Sequence, residues 1–179
     1  MTLFEKKQAI LFRLYDVDQS GFISQDDFLH LADRVAKTQG QTGSPRHAQL
    51  RAALGALWGY HAGLDKDGDG RITSDEWVTG RLALGEGLKR IYQGISLFGN
   101  ALFDAFDKDG IQGLSVAEYK SFLISFGFSP DNADQNFRQL DQDGNGLISR
   151  KEFMDLLLQF HYSNEESAVG NLLFGPLDL

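Results

Sequence analysis

One stretch of this chain is built to hold a cation. It runs Asp141-Gln142-Asp143-Gly144-Asn145-Gly146-Leu147-Ile148-Ser149-Arg150-Lys151-Glu152. A hard divalent ion takes six to eight oxygen ligands at about 2.3–2.6 Å. Asp141, Asp143 and Asn145 place side-chain oxygens at loop positions 1, 3 and 5. Leu147 offers its carbonyl at position 7. Ser149 can hold a bridging water at position 9, and Glu152 closes the shell with two oxygens at position 12. Gly146 occupies position 6, where the chain must turn through a positive φ that glycine adopts without steric cost.

The pattern recurs, so the chain is an internal repeat. Asp65 to Glu76 repeats it in full, with Asp65, Asp67, Asp69, the Arg71 carbonyl and Glu76 as candidate ligands. Asp16 to Asp27 repeats it with Asp16, Asp18, Ser20, the Phe22 carbonyl and Asp27. Aspartate at position 12 is one methylene short of glutamate, which predicts weaker calcium binding there or tolerance of the smaller six-coordinate magnesium. The stretch Asp107 to Glu118 begins and ends correctly but has Ile111 at position 5 and Gln112 at position 6, with Gly113 displaced by one. It reads as a loop kept for its fold and silent toward metal. D-x-[DN]-x-[DN]-G closing on Glu resembles the EF-hand calcium loop. The expectation is about three Ca2+ per chain, with Mg2+ an option at the first loop.

Composition narrows the classes. The 179 residues suffice for a substantial core. A formal net charge of -8 argues against nucleic acid, which demands basic patches. Zero cysteines exclude disulfides and thiolate chemistry. The N-terminus lacks an apolar signal core, and the uncharged stretch Ala52 to Leu64 falls short of the ~20 residues of a membrane span. The reading is a soluble, cytoplasmic, monomeric protein. His30, His47, His61 and His161 lack zinc spacing and read as surface or helix-packing residues. Neither a nucleophile elbow nor a phosphate-binding glycine loop is present, and no enzyme activity is expected.

Apolar residues at helical spacing flank every loop, predicting an all-α fold of four helix–loop–helix units in two pairs within one compact domain. Thr38 to Pro45 reads as a linker, with Ser44 capping the next helix and Pro45 at its first position. Gly55, Gly59 and Gly63 in that helix imply tight packing or local looseness. Gly85 and Gly87 interrupt the following region, and Ser129-Pro130 open a later helix. The loop starts, 16, 65, 107 and 141, draw closer along the chain. This pairs first with second and third with fourth, through Ile23 with Ile72 and Leu114 with Ile148. The expected division is 1-86 for the N-terminal pair, 87-162 for the C-terminal pair and 163-179 for a tail. That tail, with Leu172, Leu173, Phe174 and Leu177, is expected to leave the last helix after Tyr162 and fold back on the core.

Four such units at unequal spacing, one of them silent, resemble the sarcoplasmic calcium-binding proteins. The ending Phe160-His161-Tyr162, then Gly170-Asn171-Leu172-Leu173-Phe174-Gly175-Pro176-Leu177, resembles the tail of their bacterial, calerythrin-like members. The resemblance implies a compact fold and calcium buffering; in calerythrin-like chains the defective loop is often the second, whereas here it is the third. Two other roles stay open. A sensor would expose a methionine-rich groove to a protein target, but the chain has 2 Met against 14 Phe. An aromatic cavity lined by Trp58, Trp77, Tyr60 and Tyr92 could hold a small ligand, a layout similar to the EF-hand photoproteins.

Overall fold

The computed structural model describes residues 2–83 and 88–175, without the side chains of 88–91. Helices α1 (Leu3–Tyr15) and α2 (Gln25–Thr38) flank the first loop. Helix α3 (Pro45–His61), extended by a 3-10 turn at Ala62–Leu64, enters the second loop and α4 (Ser74–Leu82) leaves it. Helices α5 (Leu88–Phe106) and α6 (Val116–Ser125) flank the third, α7 (Ala133–Leu140) and α8 (Arg150–Tyr162) the fourth. Each loop contributes one two-residue strand: β1 (Phe22–Ile23), β2 (Ile72–Thr73), β3 (Gly113–Leu114) and β4 (Ile148–Ser149).

The strands pair as the spacing predicts. β1 meets β2 with Ile23 opposite Ile72, and β3 meets β4 with Leu114 opposite Ile148, both antiparallel. All four of these position-8 residues are fully buried. They carry the loops onto a single apolar core that runs from Ile10 on α1 to Phe174 in the tail. The two pairs meet chiefly along α3 and α5. Gly94 makes that approach possible: a Cβ there would lie 2.5 Å from Tyr60 Cδ2 and 3.0 Å from Leu57 Cδ1. By contrast, a Cβ at Gly55, Gly59 or Gly63 would meet nothing within 4 Å, so these three are not contact glycines.

Local chemistry sets the helix ends. Ser44 Oγ accepts from His47 N with Pro45 at the first position of α3. Helix α7 starts later than Ser129-Pro130 implies: Ser129 Oγ accepts from Asp131 N, the Pro130 carbonyl accepts from Ala133 N, and Asn132 is the cap. These residues form a turn before the helix begins. The segment after α2 is anchored rather than free. Gln39 bonds to Ser121 and Ser125 on α6, and Gln41 Nε2 donates to the Ala105 carbonyl.

The tail leaves α8 at Tyr162 and returns as a 3-10 turn at Val169–Leu172. Leu173 and Phe174 are buried, and the Phe174 ring lies 4.8–5.9 Å from the rings of Phe122, Phe126, Phe128 and Phe160. Tyr119 OH donates to the Leu172 and Leu173 carbonyls. Leu177, like Gly85 and Gly87, lies outside the described residues. Gly170 fits against α8 so closely that a Cβ would come within 2.6 Å of the Leu156 carbonyl oxygen. Gly170→Ala should therefore cost about 1–3 kcal/mol by overpacking, and lower the melting temperature by about 2–4 °C per kcal/mol. Gly55→Ala, with open space, should raise stability by about 0.5–1 kcal/mol. Thermal unfolding followed by circular dichroism checks both; equal melting temperatures for the two variants would refute the close seat of the tail.

Candidate metal centre

Each loop converges three carboxylates. One oxygen from each of Asp16, Asp18 and Asp27 lies within 4.8 Å of the others, and the same holds for Asp65, Asp67 and Glu76, and for Asp141, Asp143 and Glu152. The backbone orients them. The position-1 carboxylate turns inward and accepts from the position-6 glycine N–H: Asp16 from Gly21 at 3.0 Å, Asp65 from Gly70 at 2.9 Å, Asp141 from Gly146 at 2.8 Å. These glycines hold φ between 82° and 89°. The position-3 carboxylate accepts from the position-5 N–H, as in Asp18 from Ser20, Asp67 from Asp69 and Asp143 from Asn145. Asp69 and Asn145 in turn accept from the N–H two residues on. Ser20 Oγ donates to the Phe22 carbonyl at 3.2 Å, which brings two of the first loop's candidate oxygens together.

Position 12 does more than its place in a ligand list suggests. In every loop the position-9 hydroxyl residue is the N-cap of the exiting helix and the position-12 carboxylate is its third residue; the two form a reciprocal capping box in the second, third and fourth loops, and in the first Ser24 N and Oγ both donate to Asp27. Glu152 accepts from Ser149 N and Oγ at 2.8 and 2.7 Å, and from Gln142 N across the loop at 2.9 Å. Glu76 accepts from Thr73 N and Lys66 N; these bonds hold its carboxyl down to about 2. Burial raises the Glu152 carboxyl, but its bonds from Ser149, Gln142 and Asp143 outweigh that and leave it below the usual range. Asp27 makes the same bridge, from Ser24 N at 2.8 Å to Val17 N at 3.1 Å, despite the missing methylene. Burial, with Asp27 and Asp18 nearby, pushes the Asp16 carboxyl up. The S/T-x-x-D/E signature at the loop ends is present in the sequence and gives position 9 a capping role beyond holding a water.

The third loop keeps this frame. Asp107, Asp109 and Glu118 converge to the same spacing as the others, and Glu118 accepts from Ser115 N and Lys108 N. The turn differs from the sequence expectation. Gln112 itself takes the left-handed turn at φ 65°, so Gly113 is not a displaced turn glycine. Gly113 instead lies in β3 beneath Leu147, where a Cβ would sit 2.9 Å from Leu147 Cβ. The Gln112 side chain donates to Asp107 Oδ2 and accepts from Arg150 of the fourth loop. Arg46 donates to the Asp107 carbonyl. Asp107 is 2% exposed and its Oδ1 has no hydrogen-bond partner.

Position-7 side chains also touch across the pairs. The Arg71 guanidinium sits 4.3 Å above the Phe22 ring, and Leu147 covers Gly113. Gly113→Ala should push β3 from β4 at a cost of about 1–3 kcal/mol, weakening calcium at the fourth loop about fivefold or more. Calorimetric titration checks this; an unchanged fourth-loop affinity would show that the pairing does not support the site.

The four aromatic residues that could line a cavity have these neighbours. Tyr92 is 49% exposed and stacks on Tyr162. Trp58 lies against Phe28, Tyr60 against Gly94, and Trp77 is fully buried beside Tyr15 and His61. No described helix is long and apolar enough to cross a membrane.

Known proteins agree with this geometry. The chain is 27% identical over 179 residues to sarcoplasmic calcium-binding protein 1 of Astacus leptodactylus, covering 92% of this chain and 91% of that protein. It is 26% identical over 157 residues to calerythrin of Saccharopolyspora erythraea, covering 84% and 88%. A solved structure of a Streptomyces coelicolor calcium-binding protein superposes with a TM-score of 0.77 at 31% identity, over 88% of this chain and 97% of that one. The model of the EF-hand domain pair matches residues 5–80 and 99–159, and with the four converging loops this shows that the chain belongs to the EF-hand family of calcium-binding proteins.

Proposed function

We propose that the chain binds three calcium ions and serves as a calcium buffer or store. The ligands are Asp16, Asp18, Ser20, Phe22 and Asp27 in the first loop, Asp65, Asp67, Asp69, Arg71 and Glu76 in the second, and Asp141, Asp143, Asn145, Leu147 and Glu152 in the fourth. Phe22, Arg71 and Leu147 act through their carbonyls. The convergence of three carboxylates in each of these loops carries the reading. When bound, the ion supplies the positive charge that offsets their mutual repulsion. The third loop is silent because Ile111 brings no oxygen and the Gln112 amide is engaged by Asp107 and Arg150. Two features favour an ion there: the convergence of Asp107, Asp109 and Glu118, and the unpaired Asp107 Oδ1.

The division into residues 1-86, 87-162 and 163-179 remains part of this reading, as do a monomeric state and a cytoplasmic location. Calorimetry of the full chain with calcium, alone and against magnesium, tests the stoichiometry. Three ions are expected, with the first loop the weakest for calcium, and Asp27→Glu should raise its preference for calcium over magnesium. Four ions would refute the silent third loop, and an unchanged preference in Asp27→Glu would clear position 12 of responsibility.

Buffer is favoured over sensor because Leu173 and Phe174 already fill the apolar face of α6 and α8. The regulatory reading has its own support: the Streptomyces coelicolor relative is described in terms of calcium-mediated regulation. The two separate on dye binding. The full chain should bind no more apolar dye on adding calcium, while deletion of residues 170–179 should increase dye binding and lower the melting temperature by several degrees, about 2–4 °C per kcal/mol lost. A calcium-dependent rise in dye binding by the full chain would favour the sensor.

A further inference from the structure

A polar knot lies buried where α1, α3, α4 and α8 meet. Gln8 Nε2, His61 Nε2, Trp77 Nε1, Arg81 Nη1, His161 Nε2 and Tyr162 OH are all buried there without a hydrogen-bond partner. Buried polar groups are almost always paired, so six orphans in one knot mark a missing partner.

Arg81 defines the charge of that partner. It is 5% exposed. Among the described residues its polar contacts are Gln8 Oε1 at 3.1 Å from Nε and the His161 carbonyl at 3.5 Å from Nη2. Neither is anionic. Its guanidinium also lies 5.3 Å from the Trp77 ring centre and 5.9 Å from that of Tyr162. A buried cation with no counter-charge is strongly destabilising.

The histidines define the rest. His61 Nδ1 lies 2.9 Å from the Leu57 carbonyl and His161 Nδ1 2.8 Å from the Leu157 carbonyl. A carbonyl only accepts, so the proton is on Nδ1 and each Nε2 is a bare acceptor. Burial and the nearby Arg81 hold both rings down to about 3, so both are neutral at pH 7. The knot therefore presents a charged donor, further donors from Trp77, Gln8 and Tyr162, and two acceptors. On one side the knot is walled by rings in mutual contact: His61 to Trp77 is 5.2 Å, Tyr15 to Trp77 5.7 Å and Tyr15 to His61 5.9 Å.

We propose that this knot is a binding site for a small oxyanion of single negative charge, bicarbonate or a short carboxylate, whose oxygens accept from Arg81 and Trp77. A hydroxyl on the anion, which bicarbonate has and formate lacks, would donate to an imidazole Nε2. Ordered water would meet the hydrogen bonds but not the charge.

The test uses the calcium-loaded full chain. Its melting temperature is measured with sodium bicarbonate, formate or chloride at matched pH and ionic strength, beside Arg81→Met and His61→Phe. Bicarbonate or formate should raise the melting temperature by about 5 °C or more at ~100 times the dissociation constant from calorimetry. Chloride should not, and Arg81→Met should lose the response while melting no lower than wild type without the anion. A His61→Phe loss for bicarbonate alone identifies the hydroxylated anion; an equal loss for both identifies the carboxylate chemistry they share. No anion response, an equal response to chloride, or a response retained in Arg81→Met overturns the proposal. Calcium stoichiometry measured on the same samples separates that outcome from a failure of the loops.

Discussion

The carboxylate at loop position 12 is the constraint on which the rest depends. It belongs to two structures at once. As the third residue of a helix it completes a capping box with the position-9 hydroxyl, and as the end of the loop it reaches back to the position-2 N–H. A cap is worth roughly 0.5–2 kcal/mol, and here the same oxygens are those a cation would take. Loop closure and the start of the exiting helix are thus one event. This explains why Asp27 can stand at position 12 without disturbing the fold: its reach suffices for Ser24 and Val17. What its shortness affects is how two oxygens are presented to an ion.

The loops do not stand alone, because each shares its strand with a neighbour. Ile23 with Ile72 and Leu114 with Ile148 bury the centre of each pair. A loop that lost its strand would expose its partner's apolar residue and backbone edge. That is a physical reason for the third loop to survive with a defective ligand set. Its repair is visible. Gln112 accepts a left-handed backbone, a conformation that costs a non-glycine residue about 1–2 kcal/mol, and its amide bonds to Asp107 and Arg150 offset part of that cost. Arg150 also lies 4.3 Å above the Phe103 ring and pairs with Asp104, so one side chain ties α5, the third loop and the fourth loop together.

Much of this was legible in the sequence because EF-hand loops encode geometry by position. The four loops, the two pairs, the register, the capped start of α3 at Ser44 and the returning tail all followed from residue type and spacing. What escaped depends on contacts between distant segments. Gly113 looked like a turn glycine one place late, yet its role is to let Leu147 close on it. Gly55, Gly59 and Gly63 left tight packing and local looseness both open, and open space surrounds them, while glycines on other helices, Gly94, Gly80 and Gly99, make close approaches to Tyr60, Leu64 and Met154. A spacing of four says which glycines share a helix face, not whether a neighbour arrives there. The Thr38 to Pro45 segment, polar and glycine-bearing, reads as a linker; Gln39 fastens it to α6 and Gln41 to α5, while Arg46 just after it bonds to the third loop.

The histidines illustrate the limit most clearly. No motif spacing links His61 and His161, which are a hundred residues apart, so sequence reasoning had no ground to place them together. The fold does so because each ends an apolar helix, α3 or α8, and donates back to the carbonyl four residues earlier. That local bond satisfies one nitrogen and leaves the other facing inward. Arg81, near the end of α4, then has no acidic neighbour among the described residues. An apolar residue of similar volume would cost the fold little or even stabilise it. A sequence that keeps an arginine between two neutral imidazoles, where the helices of the first pair meet the last helix of the second, accepts a stability cost that packing alone does not explain.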